Sequence, residues 1–187
     1  MLKLSGYNIV YKNHGLNVHK VEPSIDHDVY YPSLNYNRKR ICAMVRPKSA
    51  RRAPYRTMRV LRAIQKRNPD ISIDIFGCTD TDIEESNLAQ DFDYTNHGIL
   101  KRGQVSALMR ENSMFLDLSD FQAFGRTGLE AMACGCIPIL PSVGGVYEYA
   151  EHNVDSYVMD MDDEAEVVKK AVSFFSLSSL DRERMIS

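Results

Sequence analysis

Hydrophobic and polar positions fall into blocks whose period switches repeatedly between that of a strand and that of a helix. ICAMV at 41–45 is an unbroken apolar run of strand length. A helical stretch follows, opened by Pro54 in its first turn, with apolar residues at Met58, Leu61 and Ile64 and an end near Asn68-Pro69. ISIDIFG at 71–77 reads as the next strand, and the polar segment 80–91 as a helix. A short strand near Gly98 to Leu100, a helix around Val105 to Glu111 and the strand MFLDL at 114–118 continue the series. The strand CIPIL at 136–140 precedes an amphipathic helix from about Asp162 to Phe175. That helix keeps Val168, Ala171, Val172 and Phe175 on one face. Asp162, Asp163 and Glu164 stand at its positive end. Strands alternating with helices predict an α/β fold, with a parallel sheet covered on both faces.

Between the strands at 114–118 and 136–140 lies SDFQAFGRTGLEAMACG, residues 119–135. A glycine-containing turn carrying an arginine runs there into a helix with one carboxylate, Glu130. Parallel sheets bind ligands beyond the carboxyl ends of their strands, where loops lead into helix N-termini. The first N–H groups of such a helix lack intrahelical partners, and with the helix dipole they favour phosphate. Gly125 lets the backbone approach a ligand closely, and Arg126 adds a fork of donors matched to phosphate. Gly125, Arg126 and Thr127 are therefore candidate phosphate contacts. Glu130, one turn further in, is badly placed for phosphate but suited to accept hydrogen bonds from sugar hydroxyls. Phosphate at the turn and hydroxyls at Glu130 together describe a nucleotide.

Composition bounds this reading. With 187 residues, 44% hydrophobic and 26% charged, the sequence suits one globular domain or one domain plus a short appendage. The four cysteines sit in apolar runs and no leader-like segment opens the sequence, which fits reduced thiols in a cytoplasmic protein. Cys134 and Cys136 lack the wider pairs and neighbouring histidines of a zinc site, so no metal is expected. No apolar run reaches the roughly 20 residues that span a bilayer. A net charge of −2 leaves no footprint for nucleic acid, but the distribution is uneven. Residues 38–67 hold twelve Lys or Arg and no acid, whereas 151–164 hold six acids and no Lys or Arg. The basic cluster is either a solvated face or an anion site, and charge alone does not choose.

The quoted stretch and its continuation, FGRTGLEAMACGCIPILPSVGGVYEYA, resemble the donor-binding signature of retaining group 1 glycosyltransferases, which have the two-domain GT-B fold. The family's common form is E-x7-E around an FG turn, then EAMACG, a proline-containing strand and a GG turn leading to a glutamate. Glu130 matches the second glutamate, Gly135 and Pro138 fall in place, and Gly144-Gly145 precede Glu148. The first glutamate is replaced by Gln122. Gln122 and Glu130 thus occupy the catalytic positions that the resemblance implies, the first near the transferred sugar and the second on ribose. VEPSIDHDVYYP at 21–32 is similar to the segment that enters the C-terminal domain of these enzymes. AMVRPKSARRAP at 43–54 resembles their Arg-then-Lys-Gly loop, whose basic residues contact the donor diphosphate. Arg46 matches the first of these and either Arg51 or Arg52 the second, with Ala53 where glycine is usual. His97, in HGIL, falls on the base-side loop. The whole stretch is most similar to a rhamnosyltransferase-like branch.

The resemblance implies a Rossmann-like C-terminal half of a GT-B fold over residues 21–187, preceded by a remnant of a domain or linker at 1–20. On that resemblance the acceptor-binding N-terminal half is expected to lie outside these residues, and DRERMIS reads as if a helix crossing back to it were cut. The implied partners are a nucleotide-sugar donor, which is a substrate and not a cofactor, and a glycan or lipid-linked acceptor. In full length such an enzyme works in the cytoplasm and permits peripheral membrane contact. An epimerase of the same architecture and a non-catalytic nucleotide-binding module are the alternatives. A dinucleotide-dependent dehydrogenase is disfavoured, since no G-x-G-x-x-G follows the first strand.

Overall fold

The computed structural model describes residues 24–32, 38–88 and 91–186. The expected remnant at 1–20 lies outside these residues. Six parallel strands form one sheet in the order β3-β2-β1-β4-β5-β6. The strands are β1 (Arg40–Met44), β2 (Ser72–Phe76), β3 (Thr95–Asn96), β4 (Met114–Leu116), β5 (Ile137–Pro141) and β6 (Tyr157–Met159). The helices are α1 (Pro54–Arg67), α2 (Asp80–Glu85), α3 (Arg102–Arg110), α4 (Arg126–Ala133), α5 (Glu164–Phe174) and α6 (Ser179–Ile186).

Alternation along the strands sends residues to two cores. Ile41 and Ala43 of β1, with Met114 and Leu116 of β4, pack against Met58, Leu61 and Ile64 of α1 and Val167, Val168, Ala171 and Phe174 of α5. Cys42, Phe76 and Phe115 face the other way, onto Leu108 and Met109 of α3, Ala131 of α4 and Tyr30. Both faces are buried, which is why these strands read as continuous apolar runs. Each fully buried Met, Leu or Ile contributes about 1.5–3 kcal/mol, so α1 is held chiefly by its inward stripe.

Several boundaries differ from the sequence expectation, each for a local reason. The helix expected over 80–91 stops at Glu85, because Asn87 takes a left-handed conformation (φ 50°). The N–H groups of Asn87 and Leu88 donate to the carbonyls of Glu84 and Ile83, at 3.0 and 2.9 Å. These two hydrogen bonds close the helix end, and Leu88 is buried. The strand expected near Gly98–Leu100 lies earlier, at Thr95–Asn96. Bonding to β2 continues through His97 N–H to Ile75 O and Gly77 N–H to Gly98 O, both 2.8 Å, before Gly98 (φ 70°) turns the chain and exposes Ile99. Helix α3 begins three residues before the expected Val105, where Gln104 Oε1 accepts the Lys101 N–H at 2.9 Å. Strand β6 and helix α6 were not expected. The three apolar residues of β6 lie inside the acid-rich segment, yet they are buried beside β5.

Candidate functional site

Strand order reverses between β1 and β4, whose sequence neighbours β2 and β5 lie on opposite sides. The loops that leave these two strands, 45–53 and 117–125, therefore emerge side by side at the carboxyl edge, the crevice where open α/β sheets take ligands. Hydrogen bonds join them. The Asp120 N–H donates to Arg51 O at 2.9 Å, Arg51 Nη1 to Phe121 O at 3.3 Å, and Arg56 Nη1 to Leu118 O at 3.0 Å.

Asp117 is the hub of this junction. Its carboxylate is buried, accepts from Ser119 Oγ at 2.5 Å and Gln122 Nε2 at 2.7 Å, and pairs with Arg52 Nη1 at 3.5 Å. Gln122 also donates to Ser119 Oγ at 3.0 Å, so its amide is turned into the loop. Burial works against the Arg52 charge, as do Arg51 and Arg46, while Asp117 supports it. Arg46, Arg51 and Arg52 thus form one cluster of mutually repelling cations, with Arg46 exposed.

The turn into α4 is fixed from behind. Gly125 has φ 83° and its carbonyl accepts the Tyr149 hydroxyl at 2.7 Å; a Cβ on Gly125 would stand 2.7 Å from that same oxygen. Gly144 (φ 119°) lies against residue 122, and a Cβ there would collide with the Gln122 carbonyl. Gln122 N–H donates to Val143 O at 3.1 Å, and Gly145 N–H to Gln122 O at 2.9 Å. The two-glycine turn is thus a backbone brace for the 122–125 loop. Within α4 the first intrahelical bonds are made by Gly128 and Leu129 to Gly125 O, which leaves the N–H groups of Arg126 and Thr127 ahead of the ladder.

Glu130 lies one turn in. Its side chain is only 13% exposed and pairs through Oε1 with Arg126 Nε at 3.2 Å. A cavity of about 370 Å³ opens beside it, walled by Tyr30, Met44, Leu100, Arg102, Val105 and Arg126. Burial raises the Glu130 pKa above the usual carboxylate value, against a hydrogen bond from Tyr30 and the charges of Arg126 and Arg102. A larger recess of about 600 Å³ lies at the C-terminal end of α1, among Arg62, Lys66, Asp91 and Asp93. It is far from the carboxyl edge in the topology, and its opposing charges give it no field of one sign.

The structure therefore brings Gly125, Arg126, Thr127 and Glu130 together on one turn, and places Arg46, Arg51 and Arg52 on the adjoining loop. The Glu130 cavity is not walled by those three arginines, by Gln122 or by His97. His97 instead points its Nε2 at Asp74 Oδ1, 2.7 Å away, and Asp74 also takes Arg40 Nη2 at 2.8 Å. This buried carboxylate between two basic groups ties β3 to β2. Sequence reading missed Tyr30, Arg102 and Asp117. Asp117 carried a signal, an acid at the end of an apolar strand; Tyr30 and Arg102 carried none.

A parallel sheet of order 3-2-1-4-5-6, with cations, a glycine turn and a half-buried carboxylate gathered at its switch point, defines a Rossmann-like domain of the GT-B type. Residues 33–187 match the family described as glycosyl transferases group 1. The chain belongs to that family. It is 33% identical over 82 residues to an N-acetyl-alpha-D-glucosaminyl L-malate synthase of Bacillus anthracis, an alignment covering 44% of the chain and 22% of that enzyme. The matched stretch thus spans under a quarter of this relative. Its fold matches the C-terminal domain of the group 1 family protein LpcC from Francisella tularensis, with TM-score 0.69, 18% identity and coverage of 88% of this chain and 93% of that one. It also matches a variant of TarM from S. aureus, solved with Fondaparinux, alpha-GlcNAc-glycerol and UDP, with TM-score 0.76, 12% identity and coverage of 100% and 38%.

Proposed function

We propose that this chain is the donor-binding half of a glycosyltransferase that moves a hexose or deoxyhexose from a nucleoside diphosphate sugar to a glycan or lipid-linked acceptor, with retention. The observation that carries the reading is the spacing of unlike groups on one turn: helix N–H groups and Arg126 at the mouth, and Glu130 a turn deeper beside the cavity. Phosphate oxygens suit the first and hydroxyl donors the second. The arginines of the 45–53 loop add charge at the same edge, where it would stabilise the diphosphate as it leaves. Gln122, hydrogen-bonded to Asp117, offers no carboxylate to the reaction and acts by holding the loop. The acceptor is held by a second domain, since transfer needs the anomeric carbon fixed against a hydroxyl in a closed cleft. The work is assigned to the cytoplasm. A TarM variant that shares this fold was solved with UDP, which supports a nucleoside diphosphate as the class of ligand by analogy of architecture alone.

Calorimetry on Glu130→Gln tests the reading, with UDP and GDP and their 2′-deoxy analogues as probes. The substitution should weaken the ribonucleotides more than the deoxy forms, because only the former present the hydroxyl pair. Equal loss for both removes the ribose assignment.

A further inference from the structure

The loop that leaves β1 carries four cations, Arg46, Lys48, Arg51 and Arg52, and they are held in different ways. Lys48 Nζ pairs with Asp82 Oδ1 at 3.1 Å, at the head of α2. Arg51 is engaged by the neighbouring loop. Its Nη1 donates to Phe121 O at 3.3 Å, its guanidinium lies 5.2 Å from the Phe121 ring centre, and its carbonyl accepts the Asp120 N–H at 2.9 Å. Arg52 is held by one nitrogen. Its Nη1 meets Asp117 Oδ2 at 3.5 Å, the side chain's one polar partner among the described residues.

Asp117 is itself fixed at backbone and carboxylate. Its N–H donates to Ile139 O at 3.0 Å, which extends the ladder between β4 and β5. Oδ1 accepts the Ser119 N–H at 3.2 Å and the Ser119 hydroxyl at 2.5 Å, and Oδ2 accepts Gln122 Nε2 at 2.7 Å. Together with Arg52 these contacts use the roughly four acceptor directions of a carboxylate. The Arg52 backbone sits in a 3-10 turn and donates its N–H to Ser49 O at 2.9 Å. Both ends of the arginine are thus placed before any ligand arrives, which removes part of the ordering cost of binding. The edge opposite Nη1, formed by Nε and Nη2, is a fork of the kind that meets two phosphate oxygens at once.

Charge alone does not account for the aspartate. A buried carboxylate beside an anion site lowers the positive potential there, so what Asp117 can add is direction. We propose that Asp117 is a positioning residue for phosphate capture: it holds Arg52 by Nη1 and aims the Nε–Nη2 fork at the diphosphate, while Arg51 braces the two loops and touches no phosphate. This rests on the donor-binding reading above.

Asp117→Asn removes a negative charge, so the two accounts predict opposite signs. If Asp117 matters only as charge, anions bind more tightly to the variant; if it positions Arg52, they bind more weakly. Calorimetry with inorganic pyrophosphate, UDP and GDP should show binding about three- to tenfold weaker in Asp117→Asn. The same change should cause no weakening in an Arg52→Ala background. Arg51→Gln should cost less than about threefold, the share of a nearby charge without a phosphate contact, and well below the loss in Arg52→Ala. Arg52→Lys keeps the charge and the Asp117 pair but has no fork, so it should bind the same probes about three- to tenfold more weakly while thermal unfolding stays near that of the parent. That variant tests the aimed edge even where Asp117→Asn does not fold. Unchanged or tighter binding in Asp117→Asn, or a loss that persists without Arg52, overturns the proposal and leaves the donor site standing. So does parent-like affinity in Arg52→Lys, or an Arg51→Gln loss equal to that of Arg52→Ala. If the parent binds neither UDP nor GDP, the donor-site reading has failed and the positioning role falls with it.

Discussion

Replacing Arg52 and Arg46 separately by alanine divides binding from stability. Arg52 is 22% exposed along its side chain and faces an Asp117 carboxylate that is 4% exposed, at 3.5 Å. Removing it leaves a buried carboxylate without its cation. Breaking a fully buried pair costs about 3–5 kcal/mol, but here Asp117 keeps the Ser119 and Gln122 donors, and Arg51 and Arg46 gain from the loss of a like charge. These compensations bring the expected cost down to about 2 kcal/mol, a fall in Tm of about 4–8 °C for a domain of this size. Arg46 is exposed, and its loss should stay within about 0.5 kcal/mol. Both variants should bind a nucleoside diphosphate roughly 10- to 100-fold more weakly, the value of one charge-assisted contact, and bind the bare nucleoside nearly as the parent does. Thermal unfolding and calorimetry on the same samples give both quantities. Equal Tm for the two variants would refute the buried pair, and equal losses for diphosphate and nucleoside would refute the anion site.

Three further substitutions test the same framework. Ala53 sits at φ 44° between a 3-10 turn and α1, so Ala53→Gly should raise stability by about 0.5–1 kcal/mol, and a lower Tm would contradict the left-handed conformation. Glu130 has its pKa raised in the fold, so its contribution is favourable below the ordinary carboxylate pKa and is lost as pH rises through the folded value. Glu130→Gln should accordingly unfold at higher temperature than the parent at pH 7, with the difference closing under acid; a less stable variant at pH 7 counts against the burial argument. Gln122→Glu would set a second carboxylate against Asp117 at the present 2.7 Å contact, costing about 2 kcal/mol at pH 7 and recovering as pH falls and the pair takes up a proton. A flat pH profile for that variant would show that residue 122 does not face Asp117.

The sheet was legible because a parallel strand buried on both faces needs an apolar run, and ICAMV, MFLDL and CIPIL are runs of strand length set between helical stretches. The short strands were not. β3 is two residues long and holds its place by continuing backbone bonds through His97 and Gly98, which no side-chain pattern records. β6 gains its burial from β5 and from Phe174, whose ring stands edge-on to Tyr157. Within the site, Gly125, Arg126 and Glu130 could be read together because one helical turn links them. Tyr30, Arg102 and Asp117 matter through contacts that only the fold creates. His97 shows the converse: a histidine in a promising loop, engaged by a buried Asp74 that looks in sequence like an ordinary polar residue of a strand.

The two parts of the site are out of balance in opposite senses. At the 45–53 loop, burial and two neighbouring arginines press against the Arg52 charge, and one aspartate answers three cations. At α4, burial presses against the Glu130 charge, and the donors from Tyr30 and Arg126 offset it only in part. Neither imbalance helps the chain fold; each is a cost that a well-packed apolar pair would avoid. On the proposed reading, a ligand with phosphate oxygens at one end and hydroxyl donors at the other would relieve both, because it would give acceptors to the arginines and donors to the carboxylate. Pyrophosphate alone would relieve only the first, and a nucleoside only the second. Linkage then makes the ligand a stabiliser of the fold, worth about 2.7 kcal/mol at a hundred times Kd. That gain should exceed what pyrophosphate and nucleoside give together at the same concentrations, since one molecule meets both demands for a single loss of translational freedom.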